Sequence, residues 1–394
     1  MGSRRILIAG GGLGGLTAAA CLLEAGFDVD VFEQAPELGE LGAGIQISAN
    51  AARVLQHLGL IDALEAVAVK PEAYRFRLYD TGEVLQTIPL GESYVERHGV
   101  AYYTVHRADF HGLLAAKVRA LKPDAIRLNA RITGFDETPD GVSAALYDGS
   151  RVDGAVLVGA DGIRSVVRRR IVGPTPINYT GDAAWRIAVP AGLLEAERRP
   201  NSVDIWVGPA RHAVVYPIRR GELVNFVGAV EDEGWTEDSW TARRPWADLQ
   251  SDFAEWDAGI RAIIGAADKD ACYRWALNNR TPVATWSTGR ATLLGDAAHP
   301  TLPYMAQGAA MAMEDAAVLT RALQQEPDVA TALDLYQRNR TGRTARVVTE
   351  SSANRSLFHL PSVADLRDAF ARRDMNAERT AWLFSYDPMT VELS

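Results

Sequence analysis

The chain has 394 residues, 47% hydrophobic and 23% charged, which is ordinary globular composition with length enough for two domains. Its net charge of −9 argues against a nucleic-acid surface. No run of about 18 apolar residues exists, and the first apolar run is short and broken by glycines, so neither a membrane span nor a secretory signal is expected.

Ile6 to Ala9 reads as a short buried strand. Gly10, Gly12 and Gly15 then fill the G-x-G-x-x-G pattern, with Leu13 and Gly14 between them, and a helix follows over Thr17 to Ala25. Strand, glycine turn and helix suit a dinucleotide pyrophosphate. The first glycine makes the turn, the second admits the phosphates, and the third lets helix pack on strand. The helix N-terminus adds free N–H groups and a partial positive charge. Asp28 to Phe32 reads as the next strand, and Glu33 ends it, about 20 residues on, where an acid accepts from a ribose and disfavours a 2′-phosphate. The expected ligand is FAD or NAD rather than NADP, and Gln34 lies beside the same site.

The glycines at 39, 42 and 44 predict a loop close to a ligand, with Gln46 at its end, and Asn50 is placed to cap a helix over Ala51 to Leu58. Arg75 to Tyr79 and Val84 to Ile88 flank Asp80-Thr81-Gly82, a hairpin signal. Arg107 opens a helix that runs to about Leu121, a position unfavourable to the helix dipole and therefore a candidate phosphate contact. Val152 to Val158 reads as one buried strand ending in the Asp161-Gly162 turn, where open α/β sheets bind ligands.

From 176 to 280 the pattern alternates: Ala184 to Val189, Val203 to Val207, His212 to Tyr216 and Asn225 to Val230 predict a mainly antiparallel sheet, covered by one helix over Trp246 to Ile264. His212, Val214 and Tyr216 share one strand face, so a base and a phenol stand together. Arg186 is a candidate for the substrate side or for structural pairing. Residues 290 to 294 form another buried strand delivering Gly295-Asp296, followed by Pro303, Tyr304 and a helix from Gly308-Ala309 to Gln324. The remainder reads as helical. Cys21 and Cys272 are too few and too distant for a disulfide framework or a metal site, and read as core.

Three motifs thus stand in order: the glycines with Glu33, Asp161-Gly162, and Gly295-Asp296 with Pro303 and Gly308. Over nearly its whole length the chain resembles the single-component FAD-dependent aromatic hydroxylases, the family of para-hydroxybenzoate, salicylate, hydroxybenzoate and hydroxynicotinate hydroxylases. Gly42-Ala43-Gly44-Ile45, His106-Arg107 with Asp109 and His111, and Met305-Ala306-Gln307-Gly308-Ala309 carry the same likeness.

The resemblance implies an α/β fold of para-hydroxybenzoate hydroxylase type. A discontinuous Rossmann-like FAD domain (1–73, 104–175 and 281–325) would interleave with a mainly antiparallel substrate domain (74–103 and 176–280), and a helical region would occupy 326–394. It implies that Gly10, Gly12, Leu13, Gly14, Gly15, Glu33, Gln34 and Arg107 hold the ADP half of FAD. Asp161 would shape the phosphate and nicotinamide side, Asp296 would bind the ribityl chain, and Gly308 and Ala309 would meet the flavin pyrimidine. NADH or NADPH would visit and reduce the flavin, O₂ would give a C4a-hydroperoxide, and an oxygen atom would pass to a small aromatic substrate. His212 and Tyr216 would be catalytic, and Gln46, Arg186, Pro303 and Tyr304 would contact substrate. Gln46, Pro303 and Tyr304 depart from the residues found there in hydroxynicotinate or hydroxybenzoate members, which leaves the ring substrate open. The expected setting is cytoplasmic, with no nucleic acid or membrane partner and a homodimer left open. The competing class is a flavin-dependent dehydrogenase or an inactive FAD-binding protein.

Overall fold

The structure is a computed structural model that describes residues 4–39, 44–235, 242–373 and 377–394. The short β-branched and leucine runs become the strands of a five-stranded, all-parallel sheet, in the order Ala291–Leu293, Val156–Gly159, Arg5–Ala9, Asp28–Phe32, Ile126–Arg127. Strands buried on both faces need continuous apolar runs, and Val156 to Val158 and Ile6 to Ala9 are at most 1% exposed. The chain leaves Arg5–Ala9 toward one sheet edge and returns on its other side, so the carboxyl ends of Arg5–Ala9 and Val156–Gly159 frame a topological switch point.

A seven-stranded sheet runs Tyr273–Asn279, Asn178–Pro190, Leu223–Glu231, Arg211–Ile218, Val203–Gly208, Ala73–Leu78, Val84–Pro89, antiparallel except between Val203–Gly208 and Ala73–Leu78. One face packs on the Trp246–Asp252 and Ala258–Gly265 helices through Trp185, Ile187, Val215 and Phe226. The other packs through Phe76, Ala184, Ile205 and Trp275 on Leu302, Tyr304 and Phe358. A two-stranded ribbon, Gly44–Ile47 with Tyr103–His106, joins the sheets: the Gly44 N–H donates to Asn225 (2.7 Å), and the Thr104 hydroxyl donates to the Pro217 carbonyl (2.6 Å).

Several local expectations change. The run from Val152 to Val158 is two strands. Arg151–Gly154 belongs to a separate three-stranded sheet with Gly141–Leu146 and Ile132–Thr138, and only Val156–Gly159 enters the parallel sheet. The single cover helix is broken after Asp252, because Phe253 turns into the core and Asp257 starts a new helix by accepting from the Gly259 N–H. Asn50 does not cap its helix. Ser48 takes the cap position of Ala49–His57, and the Asn50 amide donates instead to Gln307 (2.9 Å) and Glu314 (2.6 Å). Gly42 and Ala43 lie outside the described residues.

The Gly308–Gln325 helix is buried along most of its length and carries Glu314 and Asp315, both fully enclosed. Arg340, on the 30-residue helix Val329–Phe358, meets Glu314 and Asp315, each at 2.7 Å. Arg343 adds a second pair to Glu314, and Asp315 also accepts from the Gly295 N–H (3.0 Å) and bonds His299 (2.6 Å). Burial alone would raise the Asp315 carboxyl, but His299 and Arg340 outweigh it and hold it at about 2. Removing one partner of such a network strands a buried charge, so Arg340→Met should cost on the order of 3–5 kcal/mol in urea unfolding. A folded-state pKa depressed below the ordinary 3.8 contributes stability that is present above that value and is lost as pH falls through about 2. Acid unfolding of Asp315→Asn should therefore lack a destabilising step between about pH 4 and 2 that the parent shows.

Candidate active site

The three sequence motifs meet at the carboxyl ends of three neighbouring parallel strands. Ala9 leads into Gly10, Gly159 into Ala160-Asp161, and Leu293 into Gly295-Asp296. Gly10 has φ +104, and a Cβ there would stand 2.4 Å from the Ala160 carbonyl. A Cβ on Gly15 would stand 2.0 Å from the Gly10 carbonyl, and one on Gly14 2.8 Å from the Leu294 side chain. Gly10 and Gly15, which meet backbone, are needed by the protein itself, whereas Gly14 meets only side chains. Gly12 differs: a Cβ there meets nothing within 4 Å, so its smallness serves whatever approaches the Leu13–Glu24 helix N-terminus, where Leu13 is already buried.

Glu33 accepts from the Gly11 N–H (2.7 Å) and the Ala35 N–H (2.8 Å), and the Gly11 carbonyl bonds His111 (2.7 Å). The acid expected to face a ribose thus also ties the glycine turn to its strand. Gln34 beside it is exposed. Asp161 accepts from the Val166 N–H (2.7 Å) and the Val167 N–H (3.3 Å), starting the Val166–Val172 helix, and its Oδ1 is buried without a partner. From that helix, Arg168 donates to the carbonyls of Ala297 (2.9 Å) and Ala298 (2.8 Å) and so holds the turn that presents Asp296.

Asp296 keeps solvent access, while protein surrounds it on its remaining sides. That is the floor of a cleft. The crowding raises its carboxyl above the ordinary value, and His299 and Arg107 pull the other way. Gly308 and Ala309 open the next helix in a first turn free of acidic side chains. Gln307, ahead of them, is fixed by its amide to Ser48 (3.0 Å).

On the seven-stranded sheet, register sorts the other candidates. Ala184, Ala229, His212 and Val207 form one cross-strand row, then Arg186, Val227, Val214 and Ile205, then Ala188, Asn225, Tyr216 and Val203. Arg186, His212 and Tyr216 therefore share a face, the one turned toward Tyr304. Arg186 is 6% exposed, lies between the rings of Tyr273 (5.4 Å) and Trp275 (5.1 Å), and has no acidic partner among the described residues. Its Nε is buried and unbonded. Burial lowers its pKa, and nearby Arg107 lowers it further.

Tyr216 lies against Gly44, whose Cβ would stand 2.4 Å from its ring, and its hydroxyl reaches Gln46, which also accepts from Tyr102 (2.6 Å). His212 packs edge-on to Tyr304, ring centres 4.6 Å apart, and its Nδ1 bonds His359 (2.8 Å). Burial pushes its pKa well below the ordinary value. The Tyr304 hydroxyl donates to Asp182. His212 and Tyr216 are not bonded to each other among the described residues, so a shared hydroxyl-to-imidazole path through the tyrosine is not present. A cavity of about 630 Å³ is walled by Tyr74, Phe76, Tyr102, Tyr304 and Phe358, with the C-terminal helices on its far side. His212 and Tyr216 stand directly behind that wall, while Pro303 is exposed and outside it.

Against known proteins, a FAD binding domain model matches residues 4–351. The chain is 39% identical to 3-amino-4-hydroxybenzoate 2-monooxygenase PtmB3 of Streptomyces platensis, over 98% of this chain and 97% of the relative. It is 38% identical to 6-hydroxynicotinate 3-monooxygenase of Bordetella bronchiseptica, over 90% and 92%. It belongs to the FAD-dependent aromatic hydroxylases. Among solved structures, Klebsiella pneumoniae HpxO complexed with FAD and uric acid superposes with a TM-score of 0.84 at 29% identity, over 96% of this chain and 95% of that one. A salicylate hydroxylase substrate complex shares the fold, with a TM-score of 0.83 at 24% identity over 98% and 96%.

FAD is thus the cofactor of this hydroxylase, and the open space at Gly12, the unpaired acceptor Asp296 and the acid-free N-terminus at Gly308 are chemically suited to it. What sequence reading missed are the supports: His111 under the glycine turn, Arg168 under the Asp296 turn, and His359 behind His212. Each is a side chain serving a segment 100 or more residues away. Gly12→Val should leave the apoprotein melting temperature unchanged yet purify colourless, whereas Gly15→Val should lower that temperature even without FAD, as differential scanning calorimetry of both apoproteins can check. Asp296→Ala removes a charged acceptor at about 1.5–3 kcal/mol, so the FAD dissociation constant measured by flavin fluorescence should rise about tenfold to a hundredfold.

Proposed function

We propose that this hydroxylase inserts one oxygen atom from O₂ into a small hydroxylated aromatic or N-heteroaromatic carboxylate, of hydroxybenzoate, aminohydroxybenzoate or hydroxynicotinate type, with NADH or NADPH as reductant. The observation that carries the reading is the sheet face on which a buried arginine without an acidic partner, a buried histidine and a buried tyrosine occupy successive rows. The named activities of the relatives at 38–39% identity support the substrate class.

Bound FAD supplies the electrophilic oxygen once NAD(P)H has reduced it. The chain's own tasks are to hold it, to orient the ring, to exclude water and to take a proton. Gly10, Gly12, Gly14, Gly15 and Glu33 would hold its ADP half, Arg107 and Asp161 would serve the phosphates, Asp296 would accept from the ribityl hydroxyls, and Gly308 and Ala309 would offer N–H groups to the pyrimidine. Arg186 anchors the substrate carboxylate, since its guanidinium is stacked and desolvated but not neutralised. His212 takes the ring-hydroxyl proton, which raises electron density at the carbon to be attacked. Among the described residues its Nδ1 bonds His359 and its Nε2 has no hydrogen-bond partner. Tyr216, Gln46 and Tyr304 set the ring's position. The reading places the enzyme in the cytoplasm, where reduced nicotinamide is available.

The direct test is a panel of 3-amino-4-hydroxybenzoate, 3-hydroxybenzoate, 6-hydroxynicotinate and salicylate, scored by hydroxylated product per NAD(P)H. Product from none of them, with no substrate-dependent O₂ uptake, would defeat the proposal. His212→Ala and Tyr216→Phe should still bind FAD and undergo reduction. In single-turnover oxidation they should yield more hydrogen peroxide and less product, with His212→Ala losing about 10²–10⁴ in the oxygen-transfer step. Arg186→Met should raise KM about tenfold to a hundredfold for carboxylates and leave the affinity for FAD unchanged.

A further inference from the structure

Behind the wall of the cavity, His212 is the first member of a chain of bonded groups. Its Nδ1 lies 2.8 Å from Nε2 of His359, and Nδ1 of His359 lies 2.9 Å from Oε1 of Glu231. His359 is buried at the end of the long C-terminal helix, whereas the Glu231 side chain is 36% exposed, so the chain leads from the sheet interior to solvent. Two further groups flank it. Arg355 meets Glu231 (3.3 Å) and Asp182 (2.9 Å), and the Tyr304 hydroxyl donates to Asp182. The charged and titratable groups around His359 are thus Glu231 and Asp182 from two strands, Arg355 from its own helix, and His212 and Tyr304 opposite.

The bonding order determines the tautomers. A carboxylate accepts only, so Nδ1 of His359 is the donor and its Nε2 is bare. That bare nitrogen must be met by a donor, so Nδ1 of His212 carries a hydrogen and Nε2 of His212 is left as an acceptor. Resting on the reading of His212 as the base, we propose that His359 and Glu231 form a proton relay that carries the substrate's hydroxyl proton from His212 to water.

The steps balance. The ring hydroxyl gives its proton to Nε2 of His212, Nδ1–H of His212 passes to Nε2 of His359, Nδ1–H of His359 passes to Glu231, and Glu231 releases a proton to water. One proton leaves, and both imidazoles end neutral with their tautomers exchanged. This answers a difficulty of the site. Burial disfavours the charged form of both histidines, so a lone buried imidazole that had to store the proton would be a poor base. Passing the proton on avoids a buried imidazolium. Asp182, Glu231 and His359 also lie close enough to suggest a metal site. Arg355 already pairs with both carboxylates and would repel a cation placed between them.

The relay is tested with oxidised holoenzyme and 4-hydroxy-3-nitrobenzoate, a carboxylate-bearing phenol whose ionised form absorbs visible light. Stopped-flow mixing in weak buffer with a pH indicator reads phenolate formation and proton release together, without turnover. Glu231→Gln keeps the hydrogen-bond acceptor at the surface but cannot take a proton, and His359→Phe keeps an aromatic side chain in the core. Both should slow phenolate formation and proton release by about tenfold or more. Added imidazole should restore part of the rate in Glu231→Gln, and Glu231→Asp should behave as the parent. Parental rates in Glu231→Gln and His359→Phe, with the rate lost in His212→Ala, would overturn the relay and leave the base in place. Parental rates in all three would overturn the base as well. A measurement that needs no substrate is nitrogen NMR of histidine-labelled holoenzyme near neutral pH. The relay requires both His212 and His359 as neutral Nδ1–H tautomers. An Nε2–H tautomer at His212, or a stoichiometric metal ion in the purified protein, would sink it.

Discussion

Two acids side by side on a buried helix are the constraint around which this molecule is arranged. Glu314 and Asp315 have no access to water, and the guanidinium groups of Arg340 and Arg343 and the ring of His299 help make their charges tolerable. The C-terminal helix must therefore lie against Gly308–Gln325 in one register. Asp315 also accepts from the Gly295 backbone, so the same charge fixes the turn that presents Asp296. Glu314 accepts from Asn50, which bonds Gln307 at the entry to the helix. Two segments proposed to hold the cofactor thus hang from one pair of buried carboxylates.

The same economy links the cofactor cleft to the substrate sheet. Gly44 sits so tightly on Tyr216 that no larger residue fits, and its N–H is held by Asn225 in the neighbouring strand. The ribbon formed by Gly44–Ile47 and Tyr103–His106 leads directly into Arg107, at the start of the next helix. A displacement of the substrate sheet would move the Arg107 end of the cleft with it. This coupling suits chemistry in which an aromatic ring must be held against a cofactor within a few tenths of an ångström.

Polar groups on the Tyr304 face of the sheet fall into two kinds. Arg186 is desolvated and stacked, with no acidic partner among the described residues, as the proposed anion contact requires. His212 is desolvated and bonded through His359 to a surface acid, as the proposed base requires. Between them the face is filled by Val214, Val227 and Ile205, apolar side chains that keep water away without competing for hydrogen bonds. The departures at Gln46 and Tyr304 fall at the rim of this face. There they bond Tyr102 and Asp182 and leave the rows beneath unaltered.

The sequence by itself determined whatever depends on neighbours along the chain. The glycine turn is legible because strand, turn and helix are contiguous, although only Gly15 answers to backbone within the motif, while Gly10 and Gly14 answer to Ala160 and Leu294. His212 and Tyr216 share a face because a strand repeats every two residues. Family membership was legible because three such local motifs stand in order. Tertiary structure decided the partners. Val152 to Val158 looks like one strand because burial makes a run apolar, yet its two halves pair with different sheets. Asn50 carries the residue type of a helix cap, but a buried carboxylate more than 250 positions away is the stronger acceptor. His359 and Glu231 are ordinary residues in a helix end and a strand end, 128 positions apart, and carry no mark of each other. Long-range electrostatic pairing leaves no periodicity in a sequence, because its terms are set by which surfaces meet after the chain has folded.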